Sequence, residues 1–113
     1  TFDYTYPGSN NIDEVAWHIE NSDDTYNVGL KKPNQLGLYD CAGNVWEWCY
    51  DTTENIEEGK NYIYKAFDSS NIYRRLKGGS WVDNAGYCAV LDRDYYQAVD
   101  ASDDIGLRIV RTI

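Results

Sequence analysis

Asp40-Cys41-Ala42-Gly43-Asn44-Val45-Trp46-Glu47-Trp48-Cys49-Tyr50 joins a small-residue turn to a run of β-branched and aromatic residues. Asp, Gly and Asn accept turn geometry, whereas Val, Trp and Tyr suit a pleated surface. The run alternates, so a strand over 45–50 is expected, with Val45, Glu47 and Cys49 on one side and Trp46, Trp48 and Tyr50 on the other. Working outward, Leu36-Gly37-Leu38-Tyr39 reads as a short strand before the turn. Strands are also expected over 72–76, ending at Gly78-Gly79, over 87–93 and over 105–110. Near the start, 11–17 reads as a short helical turn capped by Asn11 or Asp13, with Val15 and Trp17 turned inward. Residues 51–70, with Asp51, Glu54, Glu57 and Glu58, read as a long exposed connection. No segment sustains a helical period beyond one or two turns. The fold class expected is therefore α+β, irregular, with short strands and long loops that present function.

The chain has 113 residues, enough for one domain. Its net charge of −9 is the wrong sign for tracking a phosphate backbone, so nucleic acid is excluded as a partner. No apolar run approaches the roughly 18 residues of a membrane helix, and no membrane span is expected. Aromatics make up 15%, with 4 Trp and 11 Tyr, rigid apolar area that offsets ordering entropy. Three cysteines, Cys41, Cys49 and Cys88, allow one bridge plus a thiol or three thiols. No export signal is visible, and compartment is left open, with a cell-surface or secreted placement favoured.

Four stretches in order carry a resemblance: 10–17, Gly37-Leu38-Tyr39-Asp40 running into Gly43-Asn44-Val45-Trp46-Glu47-Trp48, Lys77-Gly78-Gly79-Ser80-Trp81, and Ile105-Gly106-Leu107-Arg108-Ile109-Val110-Arg111. Together they resemble the formylglycine-generating enzyme or sulfatase-modifying-factor family. The resemblance implies an irregular variant of the C-type lectin fold over 1–113. It also implies that this stretch corresponds to the carboxy-terminal part of a family domain, without the family's amino-terminal half.

The same resemblance implies which chemistry to look for. In the oxygen-dependent enzymes of the family, two cysteines bind copper(I), a soft ion suited to thiolates. On that pattern the second cysteine is Cys88, but Asp83 stands at the first, so the catalytic positions are degenerate and no copper is expected. Ser80, without a basic partner, reads as a turn residue and not a nucleophile. Cys49 and Cys88 allow a disulfide, with simple packing favoured, and Cys41 reads as space-filling. The family often binds calcium before Trp-Glu-Trp, where Asp40, the carbonyls of Gly43 and Val45, and Glu47 stand here. A hard cation takes such oxygens, and a turn stapled by Asp40 alone is the equal alternative. A second family calcium site would need Asp at Gly29 and is not expected. His18, the one histidine, reads as a surface or capping residue.

Between positions 82 and 104 Tyr and Asp crowd together among small residues, and 6 of the 19 acids fall there against the single base Arg93. Tyr gives rigid contact area at low entropic cost, as in paratopes. The expected ligand-binding residues are Val82, Asp83, Tyr87, Ala89, Leu91, Asp92, Asp94, Tyr95, Tyr96, Asp100, Ser102, Asp103 and Asp104. Some non-enzymatic relatives are variable proteins of diversity-generating retroelements, in which mutated AAY codons never yield Lys, Glu, Gln, Met or Trp. Those five types fill 16 of the 90 positions outside 82–104 but only Gln97 of the 23 inside. The function expected is non-catalytic ligand recognition through 82–104, with a protein ligand favoured over carbohydrate. Formylglycine generation and a structural half-domain completed by another chain are the alternatives.

Overall fold

The structure is a computed structural model and describes residues 3–51 and 72–111. Its regular elements are few: a helical turn α1 (Ile12–Val15), strands β1 (Trp46–Trp48), β2 (Tyr73–Lys77), β3 (Asp94–Gln97) and β4 (Ile105–Gly106), and a 3₁₀ turn over Ala85–Cys88. The strands form one mixed sheet in the order β3-β2-β1-β4. β1 and β2 are antiparallel, as are β2 and β3, while β4 runs parallel to β1. Among the described residues no helix is long and apolar enough to cross a membrane.

Register settles which residues share a face. Glu47 pairs with Lys77 and Trp48 with Leu76, as the alternation in 45–50 requires. Leu76 and Trp46 are buried on the tryptophan face, together with Arg74. The opposite face carries Glu47, Arg75 and Lys77, all half-buried.

The core beside the sheet is small: Val15, Ala16, Ala42 and Cys88, with Tyr6 and Ile12 packed against it. Turns and side-chain bonds therefore do much of the holding. Asn11 caps α1, its side chain accepting from Asp13 N–H, as the sequence predicts. Asn44, buried with φ 65°, is a hub. Its side chain accepts from Tyr26 N–H at 3.0 Å and donates to the Tyr26 carbonyl at 3.1 Å, while its own N–H donates to the Trp17 carbonyl. Trp17 stacks on Tyr26 at 4.0 Å with Lys31 Nζ over its ring at 4.1 Å.

Several expectations are corrected. Residues 36–39 are not a strand, because the Asn34 side chain accepts from both Leu36 and Leu38 N–H and folds them into a loop. The strand expected over 87–93 is displaced to 94–97, since Asn84 caps the 3₁₀ turn and curls the backbone through Cys88. Only Ile105–Gly106 of 105–110 pairs as a strand. The connection 51–70 lies, apart from Asp51, outside the described residues. No disulfide forms, all three cysteines being free.

His18 is the sharpest correction. It is 1% exposed, not at the surface, with Nε2 2.7 Å from Asp13 Oδ1. That bond holds the Asp13 carboxyl below its ordinary range. A depressed carboxylate contributes stability that is complete above its unfolded value and is lost as pH falls through the folded one. Asp13→Ala should leave the buried Nε2 unpaired and cost about 1–3 kcal/mol in urea unfolding. The deficit should shrink at acid pH, where the wild type also loses the pair.

Candidate functional site

The segment 82–104 is anchored at both ends by the scaffold. At its start Asp83 is turned into the structure: Oδ2 accepts from Ser80 N–H at 3.0 Å and from Ser80 Oγ at 2.5 Å. Its carbonyl accepts from Ile19 N–H. Ser80 is fully buried, and its hydroxyl closes this turn. At the other end the Asp104 carbonyl accepts from Trp46 N–H at 2.7 Å, and Ser102 Oγ donates to Asp104 Oδ1.

Between the anchors the predicted residues divide. Tyr95 pairs with Arg75 and Tyr96 with Arg74, so the two tyrosines point to opposite faces of the sheet. Tyr95 meets Tyr73 edge to face at 5.6 Å, and Tyr96 lies 6.5 Å from Trp48 with Asp94 on its side. Tyr87 packs its edge against Trp46 at 6.3 Å while staying half exposed. Val82, Asp100, Ser102 and Asp103 are exposed, Ala89 and Asp92 half-buried, and Leu91 is 93% exposed. The Asp94 side chain accepts from Tyr95 N–H, stiffening the entry to β3. Two patches result, one around Tyr73 and Tyr95, the other around Tyr87, Trp48 and Tyr96, and the acids are spread across both.

Cys88 lies beneath, 1% exposed. Burial first, and the Asp83 carboxylate second, push its thiol up to about 11. One thiol beside a carboxylate committed to Ser80 lacks the second soft ligand that a copper(I) site takes.

The 40–47 turn forms a second centre. Asp40 Oδ2 accepts from Gly29 N–H at 2.8 Å, while Oδ1 is buried without a partner among the described residues. Glu47 is gripped by Arg108, Nε donating to Oε2 at 3.0 Å and Nη2 to Oε1 at 2.6 Å. The same Nη2 donates to the carbonyls of Tyr39 and Asp40. An open cavity of about 450 Å³ borders this turn, with Val28, Leu38 and Leu107 on its wall. The orphaned Asp40 oxygen fits a hard cation, and Glu47 would be shared with the guanidinium. No group of three or more His, Cys, Asp or Glu side chains gathers there or elsewhere among the described residues. Arg108 went unassigned in the site reading of the sequence, although it lies in the 105–111 motif that carries the resemblance.

Comparison with known proteins matches residues 3–113 to the sulfatase-modifying factor enzyme 1-like domain. The chain is 35% identical to the chaperone protein LppX of Paenibacillus barcinonensis over 127 aligned positions, covering 96% of this chain and 42% of that protein. It is 38% identical to the formylglycine-generating enzyme of Thermomonospora curvata over 65 positions, 54% of this chain and 22% of the enzyme. Among solved structures, Treponema denticola variable protein 1 superposes with a TM-score of 0.79 at 37% identity, covering 93% of this chain and 40% of that one. The chain thus spans about two fifths of the length of LppX and of the variable protein.

Proposed function

The chain belongs to the sulfatase-modifying factor enzyme 1-like family, with the irregular α+β fold of formylglycine-generating-enzyme-type structures, and on that premise we propose that it is a non-catalytic recognition domain. It binds a protein ligand through the exposed part of 82–104, on a scaffold of the C-type lectin kind. The observation that carries this reading is the pairing of Asp83 with Ser80 above the buried Cys88, which leaves two-thiolate copper chemistry with one thiol where it needs two. The likeness to a variable protein supports diversification of the segment by a retroelement. A near-copy of the 82–104 coding sequence close to the gene, differing at adenines only, is the expected finding. Its absence from the locus would remove diversification from the account.

A second reading is favoured by a specific observation. Leu91, Ile109, Val110 and Leu36 are each more than 80% exposed, an unusual amount of bare aliphatic surface. In that reading the chain is part of a domain completed by other polypeptide. A monomer on sizing, unfolding in one cooperative step, would exclude it.

Calcium belongs to the proposal as a structural ion. It would be held by Asp40 and the Gly43 and Val45 carbonyls, with Glu47 shared with Arg108. Calcium at about a hundred times its Kd should add about 2.7 kcal/mol of stability. A thermal scan with and without calcium checks this: a rise abolished by Asp40→Asn is expected, and an unmoved melting curve would leave the turn stapled by hydrogen bonds alone.

A further inference from the structure

The acidity of 82–104 suggests a basic ligand, but one cavity that borders this segment is basic. A cavity of about 240 Å³ opens between β1, β2 and the start of the segment, lined by Cys49, Asp51, Arg75, Lys77, Arg93 and the apolar pair Val90 and Leu91. Three cations and one carboxylate face it, in a chain of net charge −9. From this geometry we propose that the cavity is a carboxylate pocket, taking an acidic side chain with an apolar neighbour from the protein ligand. The inference rests on the recognition reading above and names the chemistry of its ligand.

Lys77 is fixed in place, since its Nζ donates to the carbonyls of Val90 and Asp92. Those two bonds tie the side chain to the segment and leave one N–H for a ligand. Burial, and the nearby positive charge of Arg93, pull the Lys77 ammonium below its ordinary range, while Cys49 and Asp92 oppose that. Lys77 and Arg93 line the same cavity, and an anion between two like charges relieves their repulsion. Arg93 is exposed and makes no hydrogen bond or ion pair among the described residues. Its planar fork suits a carboxylate bidentately, with Lys77 as a point charge beside it.

Size and surroundings select within anions. The cavity holds one side chain, not a nucleotide. Leu91 and Val90 form an apolar rim, and Tyr95, opposite Arg75 on this same face of the sheet, extends it with Tyr73. One acid, Asp51, lines the cavity itself and offsets one of its three cations, while Glu47 is held by Arg108. Asp92 has one buried oxygen without a partner and stands on the Lys77 side, outside the lining.

The test is an amide-shift titration of the ¹⁵N-labelled protein with the peptide acetyl-Ala-Leu-Glu-Leu-Ala-amide, its Gln-for-Glu counterpart, and inorganic phosphate. The acidic peptide should shift Cys49, Lys77, Leu91, Arg93 and Tyr95, bind at least about tenfold tighter than the Gln peptide, and lose that margin in Arg93→Ala. Equal binding of the two peptides, shifts mapping elsewhere, or phosphate matching the acidic peptide at the same amides would overturn it. The peptide comparison needs no variant, so a poorly folding Arg93→Ala leaves the test intact. A negative result sinks the carboxylate pocket alone, because the recognition reading is judged separately, by formylglycine formation.

Discussion

Gly43→Ala is expected to cost about 4 kcal/mol, a large fraction of the roughly 5–15 kcal/mol that holds a domain folded. Gly43 has φ +66°, a left-handed conformation that costs an L side chain about 1 kcal/mol or more. Space is the larger objection. A Cβ there would sit 2.3 Å from the Trp17 carbonyl oxygen and 2.8 Å from Trp17 N, both backbone atoms that no rotamer change moves. The turn would have to separate from Trp17, breaking the bond from Asn44 N–H to that carbonyl and the bond from Gly43 N–H to the Gly78 carbonyl. Gly29→Ala is the control: φ is +79°, but nothing lies within 4 Å, so only backbone strain of about 1 kcal/mol is expected. Urea unfolding of the three proteins checks both figures, and equal losses would refute the steric argument.

Trp46→Ala is the second large effect, also about 4 kcal/mol, from a ring 3% exposed at the heart of the sheet. Its backbone bonds to Asp104 survive, so the loss is one of packing and cavity. The consequence reaches the proposed ligand face, because Tyr87 rests edge-on against this ring. Near-ultraviolet dichroism should therefore lose a Tyr signal as well as a Trp signal, while a loss confined to Trp would show that Tyr87 is held by other contacts.

The sequence is most legible where side chains alternate. The strand expected over 45–50 forms at its centre only, as β1, where Trp46, Glu47 and Trp48 alternate between faces as period two requires. The Asn11 cap is equally plain. Where polar side chains decide the backbone, the pattern misleads. Asn34 folds 36–39 into a loop, and Asn84 bends 85–88 into a 3₁₀ turn, yet both stretches look like strands by composition. The same limit governs the site. A Tyr-Tyr pair reads as one patch, but adjacent strand positions face opposite ways, so Tyr95 and Tyr96 serve different surfaces. Asp83 reads as part of the ligand face but spends its carboxylate on Ser80. The basic pocket was hidden because Arg93 sits between Asp92 and Asp94 in an acidic stretch and meets Arg75 and Lys77, sixteen or more positions earlier, only in the folded chain.

We propose that this family scaffold recognises a ligand and performs no oxidation. Incubating the protein with copper, oxygen, a reductant and a Cys-x-Pro-x-Arg peptide, then reading the peptide by mass spectrometry, decides between recognition and oxidation. Unmodified cysteine is the result predicted by Asp83, which stands where a second thiolate is needed and is bonded to Ser80. Formylglycine in the peptide would contradict it.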